Sequence, residues 1–67
     1  MDMKPVNSSA IEAVGSDPST RRMRIRFAGG NEYDFCGVPK TVHEALMSAS
    51  SKGTFYNDYI RDRYQCH

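Results

Sequence analysis

Sixty-seven residues with a formal net charge of +1 make one domain, too small to enclose a deep catalytic pocket and too close to neutral to hold nucleic acid on bulk charge. The opening Met1–Ser9 stretch has no apolar run of a secretory leader, and nothing approaches the roughly 20 apolar residues of a membrane span, so a cytoplasmic protein is expected. A core of this size rarely supplies more than about 3–5 kcal/mol of net stability. Each large apolar side chain is therefore expected to serve folding before it serves a ligand.

Residues 1–7 are polar, carry Pro5 and show no period, which predicts a flexible lead-in to a single domain over residues 8–64. Ile11-Glu12-Ala13-Val14 predicts a first strand over Ala10–Val14, with Ile11 and Ala13 inward and Glu12 outward. Asp17-Pro18-Ser19-Thr20 has the chemistry of a type I turn. Arg22-Met23-Arg24-Ile25-Arg26-Phe27 then alternates cation and apolar residue without a break, the period of a half-buried strand. Met23, Ile25 and Phe27 should face the core, and Arg22, Arg24 and Arg26 the solvent. Gly29-Gly30-Asn31 reads as a hairpin loop into a third strand, Glu32–Cys36.

The register of that hairpin decides which face carries the aromatics, because a slip of one residue moves every side chain to the other side. A two-residue loop would put Tyr33 and Phe35 among the arginines as a stacking platform. It would also bury Glu32 and Asp34 beside Met23, Ile25 and Phe27, which is costly without partners. A three-residue loop, Gly29 to Asn31, is favoured. It sets Phe27 opposite Tyr33, Ile25 opposite Phe35, and Asp34 opposite Arg26.

Val38-Pro39 ends the sheet. Thr41-Val42-His43-Glu44 has capping-box form, and Val42, Ala45, Leu46 and Ala49 mark one face of a helix over Val42–Ala49. Serines 48, 50 and 51 interrupt it, and Ser51 is placed to cap a second helix over Lys52–Asp62 with Phe55, Tyr56, Tyr59 and Ile60 as its apolar stripe. Fraying is expected near Arg63 and over residues 65–67. The fold class so predicted is α+β: a three-stranded antiparallel meander followed by two short helices packed on one sheet face.

Reactive side chains are few. Cys36 and Cys66 have neither CxxC nor zinc-ligand spacing and are read as two reduced thiols, with one disulfide as the alternative. His43 reads as an exposed helical residue, and His67 as part of the terminus. No nucleophile, base and orienting group come together at a usable spacing, and no carboxylates are paired for acid–base work. No enzymatic activity, metal or cofactor is expected. Two features suit binding. The arginine row is read as a solvated face paired with neighbouring acids, with a phosphate-binding face as the alternative. Ser50-Ser51-Lys52-Gly53 opens a helix, where free amides and a partial positive charge suit an anion, against the plainer reading of a helix cap.

One ordered set of residues spans nearly the whole chain: Val6, Ser8-Ser9 and Ile11; Tyr33-x-Phe35 and Val38-Pro39; Ser51-Lys52-Gly53, Phe55-Tyr56-Asn57 and Ile60. Together they resemble the KTSC domain, named for its place at the C-terminus of some lysyl-tRNA synthetases and also found as stand-alone bacterial and phage proteins. The family's central Tyr-x-Tyr has Phe35 at its second position here. The resemblance implies a non-catalytic module and brings no catalytic residues with it. It favours RNA as partner; the residues read as able to hold it are Arg22, Arg24, Arg26, Ser51, Lys52, Gly53, Arg61 and Arg63. The alternative is a protein partner docking on a sheet edge or on an aromatic such as Tyr56 or Tyr64.

Overall fold

The computed structural model describes residues 1–66. Its elements are β1 (Met3–Pro5), β2 (Ile11–Asp17), β3 (Arg22–Phe27), β4 (Glu32–Phe35), α1 (Lys40–Ser48), α2 (Lys52–Phe55) and a π-helical turn (Tyr56–Ile60). The strands form one antiparallel sheet in the order β1-β2-β3-β4. The α+β class and the antiparallel meander are as expected, but the sheet has four strands where the sequence predicts three.

The extra strand comes from the lead-in. Met3, Lys4 and Pro5 pair with Gly15, Val14 and Ala13. Three residues are too few to show a period, and Pro5 is tolerated because β1 is an edge strand. Gly15 makes the room: a Cβ there would stand 2.6 Å from Met3 Sδ. A glycine inside a strand pattern is the signal that another chain segment comes close.

β2 also runs further than predicted, to Asp17, and carries a bulge. Ile11 pairs with Phe27 but Ala13 pairs with Arg26, so two residues of β2 oppose one of β3 around Glu12. The bulge shifts the alternation. Val14, opposite Ile25, takes the core side, and Ala13 lies on the arginine side, the reverse of the expected placing of Ala13. Ala13 is buried all the same.

The β3–β4 hairpin keeps the predicted faces and moves the pairing by two residues. Met23 opposes Phe35, Arg24 opposes Asp34, Ile25 opposes Tyr33 and Arg26 opposes Glu32. The turn is centred on Ala28-Gly29: the Gly30 amide donates to the Phe27 carbonyl at 2.9 Å, and the Phe27 amide donates to the Asn31 carbonyl at 2.8 Å. Gly29 and Gly30 have φ of 99° and 96°, a region that costs other residues energy. A two-residue shift preserves the side of every side chain, so burial alone does not select between the two registers. The observed one gives both Arg24 and Arg26 an acid directly opposite.

Ile11, Val14, Met23, Ile25, Phe35, Val38, Leu46 and Ile60 form the buried cluster, with Phe27, Val42, Met47, Phe55, Tyr56 and Tyr64 packed around it. α1, α2 and the π-helical turn thus cover the Met23/Ile25 face, as expected. Ala45 of the predicted stripe is exposed, and Met47 packs instead. α1 starts two residues early with Pro39 as its N-cap. The Thr41–Glu44 capping box does not form. The Pro39 carbonyl accepts from the Val42 and His43 amides, and Glu44 reaches back to Lys40 at 3.7 Å. The second helix is α-helical only to Phe55. The Arg61 amide then donates to the Tyr56 carbonyl at 2.8 Å, an i to i−5 bond.

Beyond β4's outer side lies the C-terminal segment. The Cys36 amide donates to the Tyr64 carbonyl at 2.8 Å, and Gln65 pairs antiparallel with Phe35. Cys36 and Cys66 are joined by a disulfide with their Cα atoms 4.9 Å apart, where the sequence reading expects two thiols. The cause is topological: the chain returns along β4 and sets the two residues side by side. A separation of 30 residues carries no trace of that in sequence. Gln65 and Cys66, expected to fray, are therefore tied to the sheet, and His67 lies outside the described residues.

Candidate functional site

The arginine row is where sequence reading places the most charge. Arg24 Nε donates to Asp34 Oδ1 at 2.7 Å and Arg24 Nη2 to Oδ2 at 3.2 Å, a two-pronged pair. Arg26 Nε donates to Glu32 Oε2 at 2.7 Å. Hydrogen bonding from Arg24 holds the Asp34 carboxyl below the usual carboxylate range, and Asp34 in turn raises the Arg24 guanidinium. Arg22 is exposed at the far end, paired across the strands with Asp17. Asp17 serves the turn: the Ser19 hydroxyl donates to it at 2.6 Å and lowers its pKa. Two of the three arginines thus have their charge matched within the sheet.

Ser51, Lys52 and Gly53 sit elsewhere, on the side of the domain where α2 begins. Ser51 occupies the N-cap position of α2 but makes no side-chain cap bond; its hydroxyl donates to Thr54 Oγ1 at 2.9 Å. Lys52 Nζ donates to the Ala49 carbonyl at 2.9 Å, closing the end of α1. Gly53 faces the segment before β2, and a Cβ there would stand 3.0 Å from Ala10 Cβ. Close packing of α2 on that segment explains the glycine without a ligand. Arg61 and Arg63 lie exposed after the π-helical turn, with Arg61 3.9 Å from Asp62. Of the predicted site residues, Ser51, Lys52 and Gly53 line one cleft together.

What the structure brings together is a polar cleft of about 430 Å³. One wall is Asn7 to Ala10, the other Ser50 to Thr54, and Asn57 of the π-helical turn completes it. Ser8 shapes the first wall, its hydroxyl accepting from the Ala10 and Ile11 amides at 3.2 and 3.3 Å. Asn7, Ser9, Ser50 and Asn57 are exposed at the rim. Lys52 brings the single ammonium, which has three donors and spends one on Ala49. Such a lining offers donors and acceptors to a ligand with many oxygens. Asn7, Ser9, Thr54 and Asn57 escape sequence reading as site residues because the two walls, Asn7–Ala10 and Ser50–Thr54, are far apart in sequence. The visible signal is the serine pair Ser8-Ser9 just before a strand.

The remaining titratable and aromatic groups are packed or isolated. His43 is half-buried, not exposed as expected, and burial lowers its pKa. Tyr56 and Tyr64, the expected docking aromatics, pack against the core. The Tyr56 ring lies 5.0 Å from Phe27 and 5.8 Å from Phe35, and burial raises its hydroxyl pKa. Tyr33 and Tyr59 are the exposed ones, each 55% accessible. Among the described residues no group of three His, Cys, Asp or Glu side chains is placed to hold a metal, and no helix is long and apolar enough to cross a membrane.

An antiparallel four-stranded sheet with its helices on one face, closed by a polar cleft, defines a small α+β domain. The KTSC domain family model matches residues 7–64, and the chain belongs to that family. The fold superimposes on the crystal structure of a KTSC domain protein from Yersinia pestis with a TM-score of 0.93 and 38% identity, covering 98% of this chain and 93% of that one. A protein of Tsukamurella paurometabola is 43% identical over 63 residues, 94% of each chain. A lysine–tRNA ligase of Nostoc is 33% identical over 63 residues, which are 94% of this chain and 11% of the ligase.

Proposed function

We propose that this domain is a non-catalytic binding module whose ligand is the sugar–phosphate backbone of RNA, held in the cleft between Asn7–Ala10 and Ser50–Thr54. The observation that carries the reading is the composition of that cleft: hydroxyls, amides and one ammonium converge on it from three chain segments. Hydroxyl and amide side chains with a lysine are the groups that contact phosphate and ribose without reading base sequence. The likeness to a piece of lysine–tRNA ligase, an enzyme that handles an RNA, supports the choice of RNA over other polyanions.

The competing reading, a protein partner added to a sheet edge, has less support. β1 is a short edge with a proline, and β4 is capped at its Phe35 end by the chain's own C-terminal segment. Both are devices that discourage strand addition.

Fluorescence anisotropy with a labelled single-stranded RNA tests the proposal. Lys52→Ala and Asn57→Ala should each weaken binding by about tenfold, the order expected for one lost contact to a charged group, with the parent's melting temperature nearly kept. Parent affinity should fall with added salt at the shallow slope of about one phosphate contact, about −0.7 on a log–log plot. Unchanged binding by both variants would remove the cleft as the site. Salt-insensitive capture of a protein, with no RNA binding, would favour the competing reading.

A further inference from the structure

The C-terminal segment is placed as a strand is placed. The Cys36 amide donates to the Tyr64 carbonyl, Gln65 pairs antiparallel with Phe35, and the Cys36–Cys66 bond fixes the two in register. The residues between the cysteines hold α1, α2 and the π-helical turn, so the bond closes the whole helical layer back onto the sheet. Cys66 is exposed and Cys36 half-buried, which leaves the bond within reach of a solvent thiol. The fully buried side chains Ile11, Val14, Met23, Ile25, Leu46 and Ile60 all come from β2, β3, α1 and the π-helical turn. The segment adds only half-buried Tyr64 to that cluster. The core can persist without it, while its own hold on the sheet, besides the covalent bond, is one backbone hydrogen bond, one bridge and the half-buried Tyr64 ring.

We infer that Cys36 and Cys66 form a redox switch that holds and releases the C-terminal segment at the Phe35–Cys36 end of β4. A dithiol reductant opens it, and a disulfide oxidant of the glutathione class closes it, taking up the two electrons and two protons as it is reduced to two thiols. One reductant thiolate attacks Cys66 Sγ, the Cys36–Cys66 bond breaks, and Cys36 leaves as a thiolate that takes a proton. The second reductant thiol then attacks the mixed disulfide, closes the reductant's own disulfide and releases Cys66 as a thiol. Two electrons pass from the reductant to the cysteine pair. In the reduced chain Tyr64–Cys66 leaves the end of β4, and the Cys36 amide loses its partner. In the oxidised chain that place is filled by the protein's own segment.

Amide hydrogen exchange on the full chain tests this. One sample is oxidised and shown by thiol titration to hold no free thiol; the other is kept in dithiothreitol. On reduction the Cys36 amide should exchange at least about tenfold faster, while the Val14 and Ile25 amides change by less than about threefold. Cys66→Ser, at an exposed position away from the core, should show the fast Cys36 exchange with or without dithiothreitol. Equal protection of Cys36 in both samples would overturn the switch, because the segment then stays bound without its tether. Loss of Val14 and Ile25 protection together with Cys36 would also overturn it, making the bond a structural staple. Two free thiols after treatment with oxidised glutathione would show that the bond does not form.

Discussion

The outer face of β3 and β4 holds full charges in matched pairs, whereas the cleft beside α2 holds hydroxyls and amides around one ammonium. Arg24 and Arg26 are the more conspicuous residues in sequence, but Asp34 and Glu32 stand directly opposite them and accept their hydrogen bonds. A phosphate arriving there competes with a carboxylate already in place. In the cleft the polar groups meet from separated segments with no acid facing Lys52 in the lining. The difference teaches that formal charge along a strand measures what a surface could offer, and cross-strand pairing decides how much remains.

The largest test of this contrast addresses the strand that supports the charged face. Ile25→Ala should cost about 2–5 kcal/mol in urea unfolding, the range for a fully buried large-to-small change. Arg24→Ala, one residue away on the other side, should lower the melting temperature by a few degrees at most. Comparable losses from the two would break the assignment of faces. Next comes Glu32→Gln with Asp34→Asn, which frees both arginines. Affinity for a single-stranded RNA should rise about tenfold, and its salt dependence should steepen toward two further phosphate contacts. No change in the salt slope would mean that the acids do not mask this face.

A smaller effect is expected at the cleft wall. Gly53→Ala places a Cβ 3.0 Å from Ala10 Cβ, an anchored group that cannot rotate away. Helix propensity alone favours alanine by about 1 kcal/mol. Packing opposes it by about 1–3 kcal/mol. Thermal melting should therefore show a net loss, and a gain would mean that α2 can move off the segment before β2. The smallest effect concerns pH. Burial depresses the His43 pKa below its ordinary 6.5, so the unfolded chain binds the proton more readily. Stability should be full above about pH 6.5 and decline as pH falls from there through the folded-state pKa. Denaturant melts at pH 7.5 and 5.5 check the sign, and His43→Gln should flatten the difference.

Strong local periodicity was legible in sequence, and geometry built by distant segments was not. Unbroken alternation in Arg22–Phe27 fixes which side chains are buried, because any odd register slip would put carboxylates in the core. The same alternation is blind to an even slip, so Asp34 is found opposite Arg24 instead of Arg26. The Glu12 bulge, which exchanges Ala13 for Val14 on the core side, leaves no mark in a four-residue window. β1 is too short for a period, with Gly15 its one advance sign. Lys52 and Gly53 were legible as unusual residues at a helix start, but their roles came from Ala49 and Ala10, which only the folded chain brings near. The disulfide and the far wall of the cleft belong to the same class.

The most direct test of the cleft as the binding surface is an NMR titration of the labelled domain with a short single-stranded RNA at low and at physiological salt. Shifts concentrated at the amides of Ser8–Ala10, Ser50–Thr54 and Asn57, and weakened by salt, are the expected result. Shifts centred on Arg22, Arg24 and Arg26 and their β4 partners, or none at either salt concentration, would contradict it.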